Sequence, residues 1–159
     1  MALVQVSNTS NQTKPRAPHR LRVFVVENHA DTREFLTFML EELGHQVVVA
    51  ETMTRALREV PVANCDVLIS DIGLPDGDGW ELLARLHLPR PIFAIAMSGF
   101  GMASDRNRSK AAGYRHHLVK PMGLEHLESI LKEAAAELEE TKDGEAVGAV
   151  SSHCASAAR

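Results

Sequence analysis

The sequence lacks the features that mark several large classes of protein. Its two cysteines, Cys65 and Cys154, are far apart and form no pair with metal-ligand or redox spacing. No hydrophobic run is long enough to cross a membrane, and the first residues lack the basic and apolar segments of a secretory signal. We therefore expect a cytoplasmic protein with no membrane partner, in which Cys65 is a small core residue.

The chain also lacks a large excess of positive or negative charge. The chain has 17 Lys and Arg residues against 21 Asp and Glu residues, a formal net charge of −4. Proteins that bind nucleic acid or anionic lipid carry basic patches, so we expect no nucleic-acid partner. The predicted partner is a protein or a small molecule.

The length of 159 residues fits one domain with a substantial core. Residues 1–20 and 141–159 are rich in small and polar residues, and we predict that both are flexible tails. The domain is predicted to cover residues 21–140. The initial Met and the short second tail favour a complete chain.

Between the tails, short β-branched runs alternate with segments of helical periodicity, which is typical of a parallel sheet covered by helices on both faces. Five strands are predicted, at residues 21–26, 46–50, 66–70, 91–97 and 116–119. The first helix is predicted over 31–43, with Phe35, Phe38, Met39 and Leu43 as its core stripe. The others are predicted from an N-cap at Thr52 to a point before Pro61, over 79–87, over 104–112 and after Pro121.

Most of the predicted strands end in polar residues. The first strand ends in Glu27 and Asn28, the third in Asp71, the fourth in Ser98 and the fifth in Lys120. In an open parallel sheet, ligands bind at the edge formed by the carboxyl ends of the strands. We therefore expect these side chains to converge, and their complementary chemistry favours a functional site over a set of turn residues.

These residue types favour phosphoryl transfer to the carboxylate of Asp71. The carboxylate can approach phosphorus only when the negative charges of both are neutralised. Lys120 can neutralise one phosphoryl oxygen, and the hydroxyl of Ser98 can donate to another. Mg²⁺ prefers oxygen ligands, and the candidate ligands are Glu27, Asn28, Asp71 and the backbone carbonyl of Gly73.

Four motifs carry a resemblance to a known family: VVENHADTRE, SDIGLPDGDGWEL, MSGFG and AGYRHHLVKP. Through them the chain resembles the receiver domain of bacterial two-component response regulators, a CheY-like superfamily, over roughly Leu21 to Glu140. The segments DIGLPDGDG, SGFGM and HHLVKP are especially similar in sequence to those of receivers attached to hybrid histidine kinases.

The resemblance implies a flavodoxin-like (βα)5 fold of the α/β class, a doubly wound parallel sheet with strand order 2-1-3-4-5. It also implies that Asp71 is the phosphoacceptor, Ser98 the switch hydroxyl and Lys120 the lysine of the family, with a cis bond before Pro121. The implied partners are a histidine kinase or histidine phosphotransfer protein and a downstream protein. The downstream protein would bind the face formed by helix four, strand five and helix five. Beyond its own phosphorylation and dephosphorylation, the chain is not expected to be an enzyme.

Two positions depart from the family pattern. Receivers usually end the first strand with two acids, but the second position here is Asn28, which offers an oxygen without charge. Its presence predicts weaker Mg²⁺ binding and slower phosphorylation, or a degenerate receiver that docks to partners independently of phosphorylation. Reduced negative charge could instead favour the active state. The switch aromatic is replaced by His117, which can still change rotamer and titrates near neutral pH.

Other interpretations are less favoured by the residues. Phosphatases of the haloacid dehalogenase type also use an Asp nucleophile with Mg²⁺, but they need an acid where this chain has Gly73. Flavin binding would need a Ser- and Thr-rich loop after the first strand. Asp76 and Asp78 are predicted to be loop and cap residues. His29 faces the same edge and could reach the site, but a solvated loop residue is the favoured interpretation. Arg106, Arg108 and Lys110 form either a partner surface or a solvated helix face.

Overall fold

The structure is a computed structural model that describes residues 19–99 and 101–148, and most of both predicted tails lies outside the described residues. The strands are Arg22–Val26 (β1), Gln46–Ala50 (β2), Val67–Asp71 (β3), Gly73–Leu74 (β4), Gly77–Asp78 (β5), Phe93–Ser98 (β6) and His116–Val119 (β7). The helices are Ala30–Glu42 (α1), Met53–Ala63 (α2), Gly79–Arg85 (α3), Ala103–Ala112 (α4) and Leu124–Gly148 (α5). The last helix thus continues past residue 140.

One parallel sheet has the strand order β2-β1-β3-β6-β7. This confirms the predicted order 2-1-3-4-5, because the two-residue strands β4 and β5 form a separate antiparallel hairpin. Strand β3 is central and wholly buried, which explains its apolar sequence. The register pairs Val26 with Ser70 and Asp71 with Met97, so β1, β3 and β6 end at one edge of the sheet.

Hydrophobic clusters lie on both faces of the sheet. Helices α1 and α5 contribute Leu36, Leu40, Leu127 and Leu131 to one cluster. Helices α2 and α3 contribute Met53, Ala56, Val60 and Leu82 to the other, which also contains Cys65. Burial raises the pKa of the Cys65 thiol to about 11, so this cysteine is a core residue as predicted. Within the described residues, no helix has the length and apolar character that crossing a membrane requires.

The predicted core stripe of α1 is wrong for both of its phenylalanines. Phe35 and Phe38 are 54% and 62% exposed, whereas Leu36, Met39 and Leu40 are buried. Two stripes of residues on α1 have the same helical spacing: one runs through 35, 38 and 39, and the other through 36, 39 and 40. Periodicity alone could not distinguish them, and packing against the sheet selects the aliphatic one.

The start of α2 is confirmed, but its predicted end is wrong. Thr52 is the N-cap, and its side chain accepts a hydrogen bond from the amide of Arg55 at 3.2 Å. The helix continues through Pro61 to Ala63 and ends where Asn64 adopts a left-handed conformation with φ of 49°. Pro61 removes one backbone donor from the last turn, and the burial of Val60 keeps that turn on the core.

Candidate functional site

Asp71 is the last residue of β3, at the edge where β1, β3 and β6 end together. Its residue surface is 4% exposed, and one carboxylate oxygen, Oδ1, accepts a hydrogen bond from the amide of Gly73 at 3.1 Å. A Cβ on Gly79 would lie 2.5 Å from the carbonyl oxygen of Asp71. The glycine at the start of α3 therefore permits close packing behind the acid.

Lys120 connects the two buried acids of this edge. Its Nζ lies 2.6 Å from Oε2 of Glu27 and 2.9 Å from Oδ2 of Asp71. The backbone amide of Lys120 donates to the carbonyl of Ser98 at 2.9 Å, which fixes the end of β7 against β6. The peptide bond between Lys120 and Pro121 is cis. The structure thus brings together the predicted residues Glu27, Asp71 and Lys120.

This ion-pair network shifts the pKa values of Glu27 and Lys120. Burial raises the pKa of Glu27, but the hydrogen bonds from Lys120 and the amide of His29 outweigh burial and leave the pKa below its ordinary value. Burial lowers the pKa of Lys120, but hydrogen bonds to Asp71 and Glu27 leave it above its ordinary value. Glu27 is therefore a carboxylate and Lys120 an ammonium at neutral pH.

Asn28 follows Glu27, as predicted, at the same edge. Its Oδ1 atom is buried and accepts no hydrogen bond from the residues that the structure describes. Arg33 holds the backbone of this loop, since its Nη1 donates to the carbonyls of Glu27 at 2.9 Å and Asn28 at 3.3 Å. The motif spacing gave no signal for this role of Arg33. The assignment of the Gly73 backbone carbonyl as a metal ligand stays a prediction.

A divalent cation fits the residues of this edge. The fit rests on the buried Oδ1 of Asn28, because a buried oxygen without a donor is costly unless a cation or another donor is bound. The carboxylates of Glu27 and Asp71 are the charged ligands that such an ion prefers. His29 also reaches this cluster, since single ligand atoms of Glu27, His29 and Asp71 lie within 4.8 Å of one another.

A second group of polar side chains connects the end of β6 with α4 and α3. The ring of His117 lies between two hydroxyls, with Nε2 2.9 Å from Ser98 and Nδ1 2.8 Å from Ser109. The indole of Trp80 donates to the same hydroxyl of Ser109 at 2.9 Å. Ser109 could not be identified from the sequence, because a single serine in a very polar helix gives no signal of burial.

Asp76 and Asp78 are cap and loop residues, as predicted. Asp78 is the N-cap of α3 and accepts from the amide of Glu81 at 2.7 Å. Asp76 accepts from the amides of Met53 and Thr54 at 2.7 and 2.8 Å, so it joins the loop after Asp71 to the start of α2. The hydrogen bond from the Thr54 side chain is the main cause that lowers the pKa of Asp76.

On α4, Arg108 is part of an intramolecular contact. Its guanidinium lies 3.9 Å from the centre of the Trp80 ring and its Nη2 3.5 Å from Oδ2 of Asp78. Arg108 is therefore held by contacts within the chain and is not a free surface charge, so its position on α4 does not by itself indicate a partner surface. For Arg106 and Lys110 both interpretations stay open.

The chain matches a known protein family. The family model of the response regulator receiver domain matches residues 23–147. The chain is 37% identical over 112 residues to the KDP operon transcriptional regulatory protein KdpE of Escherichia coli, covering 70% of this chain and 50% of that protein. It is 32% identical over 139 residues to the virulence sensor protein BvgS of Bordetella bronchiseptica, covering 79% of this chain and 11% of that protein. The chain thus spans half of one relative and about a tenth of the other.

Solved structures agree with the fold. A response regulator receiver domain protein (CheY-like) from Methanospirillum hungatei has a TM-score of 0.71 and 27% identity, covering 77% of this chain and 99% of that chain. A two-component response regulator from Clostridium difficile has the same TM-score of 0.71 at 22% identity, covering 75% of this chain and 98% of that one. The predicted flavodoxin-like fold and the predicted likeness to receivers, including those of sensor proteins, are confirmed.

Proposed function

Because the chain belongs to the response regulator receiver domain family, we propose that Asp71 accepts a phosphoryl group from a phosphohistidine in a reaction that needs a divalent cation. The observation that carries this proposal is the bridge from Lys120 to both acids, at 2.6 Å from Glu27 and 2.9 Å from Asp71. It places one fixed positive charge beside a carboxylate at the carboxyl edge of the sheet, where ligands bind.

The transfer forms one bond and breaks one bond. A carboxylate oxygen of Asp71 attacks phosphorus, and the bond from phosphorus to the donor imidazole nitrogen breaks with its electron pair left on that nitrogen. Lys120 neutralises charge on a phosphoryl oxygen, and the Ser98 hydroxyl donates to another. A bound divalent cation, held by Glu27, Asn28 and Asp71, would supply further charge neutralisation. Beyond its own phosphorylation and dephosphorylation, the chain needs no enzymatic activity for this role.

The donor is a histidine kinase or a histidine phosphotransfer protein, and we propose that it docks beside α1. A groove of about 360 Å³ lies between α1 and the segment after β7, lined by Asp31, Thr32, Phe35, Leu36, Lys120, Pro121 and Met122. Lys120 belongs both to this groove and to the acidic site, so a partner in the groove lies next to Asp71. The exposed Phe35 gives such a partner an apolar contact.

The phosphorylated form signals through protein contacts. We infer that the Ser98 hydroxyl moves toward the new phosphoryl group and gives up its hydrogen bond to His117. Because His117 also contacts Ser109 on α4, the movement changes the face formed by α4, β7 and α5. A downstream protein that binds this face would distinguish the two states.

The test is the intact mass of the chain after incubation with a small-molecule phosphodonor, with added Mg²⁺, with added Mn²⁺ and with a chelator. We expect a gain of one phosphoryl mass in the presence of a divalent cation and none with the chelator. Asp71→Asn should show no gain, whereas Asp105→Asn, the same change on α4, should behave like the wild type. No gain with either ion would reject the proposal and favour the phosphorylation-independent docking module.

A further inference from the structure

His29 is the solvated loop residue that was predicted, since its side chain is 67% exposed, but its ring also contacts the acidic site. Its Nδ1 lies 3.0 Å from Oε1 of Glu27, a carboxylate whose side chain is fully buried. One ligand atom each of Glu27, His29 and Asp71 lies within 4.8 Å of the others. A single ion can contact atoms that are this close together.

The backbone explains why the ring is there. His29 is the N-cap of α1, a position where a side chain ordinarily accepts a hydrogen bond from a helix amide. His29 makes no such bond. Instead its own amide donates to Oε1 of Glu27 at 2.9 Å, so the same carboxylate oxygen contacts both the amide and the ring of His29. The side chain is thus directed into the site rather than onto the helix.

The resulting set of donors combines oxygen and nitrogen. Glu27 and Asp71 supply carboxylates, Asn28 supplies a buried amide oxygen without a partner among the described residues, and His29 supplies an imidazole nitrogen. Oxygen ligands alone suit Mg²⁺, Ca²⁺ and Mn²⁺, whereas imidazole favours transition ions. Mn²⁺ is the ion that suits both parts of this set, and it binds nitrogen-containing sites less tightly than the later transition ions do.

We propose that Nδ1 of His29 is a ligand of the divalent cation at this site, and that it consequently contributes more to the binding of Mn²⁺ than to the binding of Mg²⁺. The inference rests on the proposed function, in which Glu27 and Asp71 hold a cation. A carboxylate oxygen only accepts, so without a cation Nδ1 donates to Glu27; the other tautomer, with its proton on Nε2, presents the lone pair on Nδ1 that a cation would bind. The side chain is 67% exposed and so has room to turn. The nitrogen ligand adds a donor atom to a set in which Asn28 supplies an oxygen without charge.

The test is equilibrium binding of Mn²⁺ and Mg²⁺ by calorimetry to the full chain, compared with His29→Gln. We expect the variant to lose roughly tenfold or more in Mn²⁺ affinity, as is common when the coordination of a metal is disturbed, and much less in Mg²⁺ affinity. His87→Gln is the matched control, because His87 is an exposed histidine remote in sequence whose ring contacts the carbonyl of Arg85. It should leave both affinities unchanged.

Electron paramagnetic resonance of the Mn²⁺-bound chain gives a second readout. Nitrogen coupling to Mn²⁺ should be present in the wild type and in His87→Gln and absent in His29→Gln. Unchanged coupling in His29→Gln, or an equal loss of affinity for both ions, would overturn the proposal. If Asp71 gains phosphoryl mass with Mg²⁺ while His29→Gln binds both ions like the wild type, only the role of His29 fails. If the wild type binds neither ion, the metal requirement of the proposed function fails as well.

Discussion

The ring of His117 lies 2.9 Å from the hydroxyl of Ser98, so the residue at the end of β6 contacts a residue of the neighbouring strand β7. The other ring nitrogen contacts Ser109, whose hydroxyl accepts from the indole of Trp80. These bonds form a continuous path from the edge that carries Asp71 to the contact between α3 and α4. A movement of Ser98 therefore has a direct physical route to both helices.

Trp80 is the one tryptophan of the chain, so its fluorescence reports on this path. We expect the emission to change when a phosphodonor is added, because His117 and then Ser109 lose their present hydrogen-bond partners. Asp71→Asn should show no change. Ser109→Ala should be phosphorylated normally but show a smaller change, and should lose about 1–3 kcal/mol of stability through the unsatisfied groups that it leaves. An identical response in Asp71→Asn would reject the path.

Replacing Lys120 by Met should lower the free energy of unfolding by about 3–5 kcal/mol at pH 7. The variant leaves the fully buried carboxylate of Glu27 without its cation, which is the expensive way to break a buried ion pair. Urea unfolding measures the loss. Lys132→Met breaks an exposed pair with Glu128 and should cost less than about 1 kcal/mol.

The cost of Lys120→Met should shrink as the pH falls from 7 towards 4. In the wild type the pKa of Glu27 is below its unfolded value, so its contribution to stability is present above that value and lost as the pH falls through the folded pKa. In the variant, burial without Lys120 raises the pKa of Glu27, so protonation stabilises the folded state as the pH falls. A cost that does not depend on pH would contradict the role of Glu27.

Asn28→Asp should raise the Mg²⁺ affinity by roughly tenfold, about 1.4 kcal/mol, because a charged ligand replaces a neutral one. Without a cation the variant should be less stable than the wild type, since a third carboxylate then lies near Glu27 and Asp71. Calorimetric titration and thermal unfolding with and without Mg²⁺ measure the two effects. Asn107→Asp adds the same charge to an exposed position of α4, and an equal gain there would indicate a nonspecific effect.

Asp76→Ala should destabilise the fold by about 1 kcal/mol, the usual cost of a lost helix cap. It removes the acceptor of the amides of Met53 and Thr54 at the start of α2. The lowered pKa of Asp76 means that its contribution is present above its unfolded pKa of about 3.9 and lost as the pH falls through the folded pKa. Asp76→Asn keeps an acceptor and should lose less stability. If both variants are as stable as the wild type in unfolding curves at pH 7, Asp76 does not stabilise the start of α2.

Phe35→Ser should slow phosphoryl transfer from a protein donor while leaving transfer from a small-molecule donor unchanged. Phe35 is 54% exposed and lines the groove next to Lys120, so it affects docking without taking part in the chemistry. Val62→Ser is the control, because Val62 is an exposed apolar residue, 82% exposed, on α2. Equal rates of transfer from the protein donor to both variants would place the docking surface elsewhere.

The sequence by itself determined where the strands lie and which residues end them, whereas the order of the strands was implied only by the resemblance to receivers. Apolar β-branched runs fix where strands can be buried, and the carboxyl ends of parallel strands share an edge, so Glu27, Asp71, Ser98 and Lys120 could be assigned to one site before any distance was known. The caps at Thr52 and Asp78 were also predictable, because capping depends on a few neighbouring residues.

Only the tertiary structure decided the contacts that depend on packing between distant segments. Glu27 and Lys120 are 93 residues apart, and no local pattern specifies a bond of 2.6 Å between them. The stripe through Leu36 and Leu40 has the same period as the stripe through Phe35 and Phe38, so the sheet and not the helix chose the buried face. The sequence favoured a solvated loop residue at His29, and only the structure showed that its ring also contacts the buried carboxylate of Glu27.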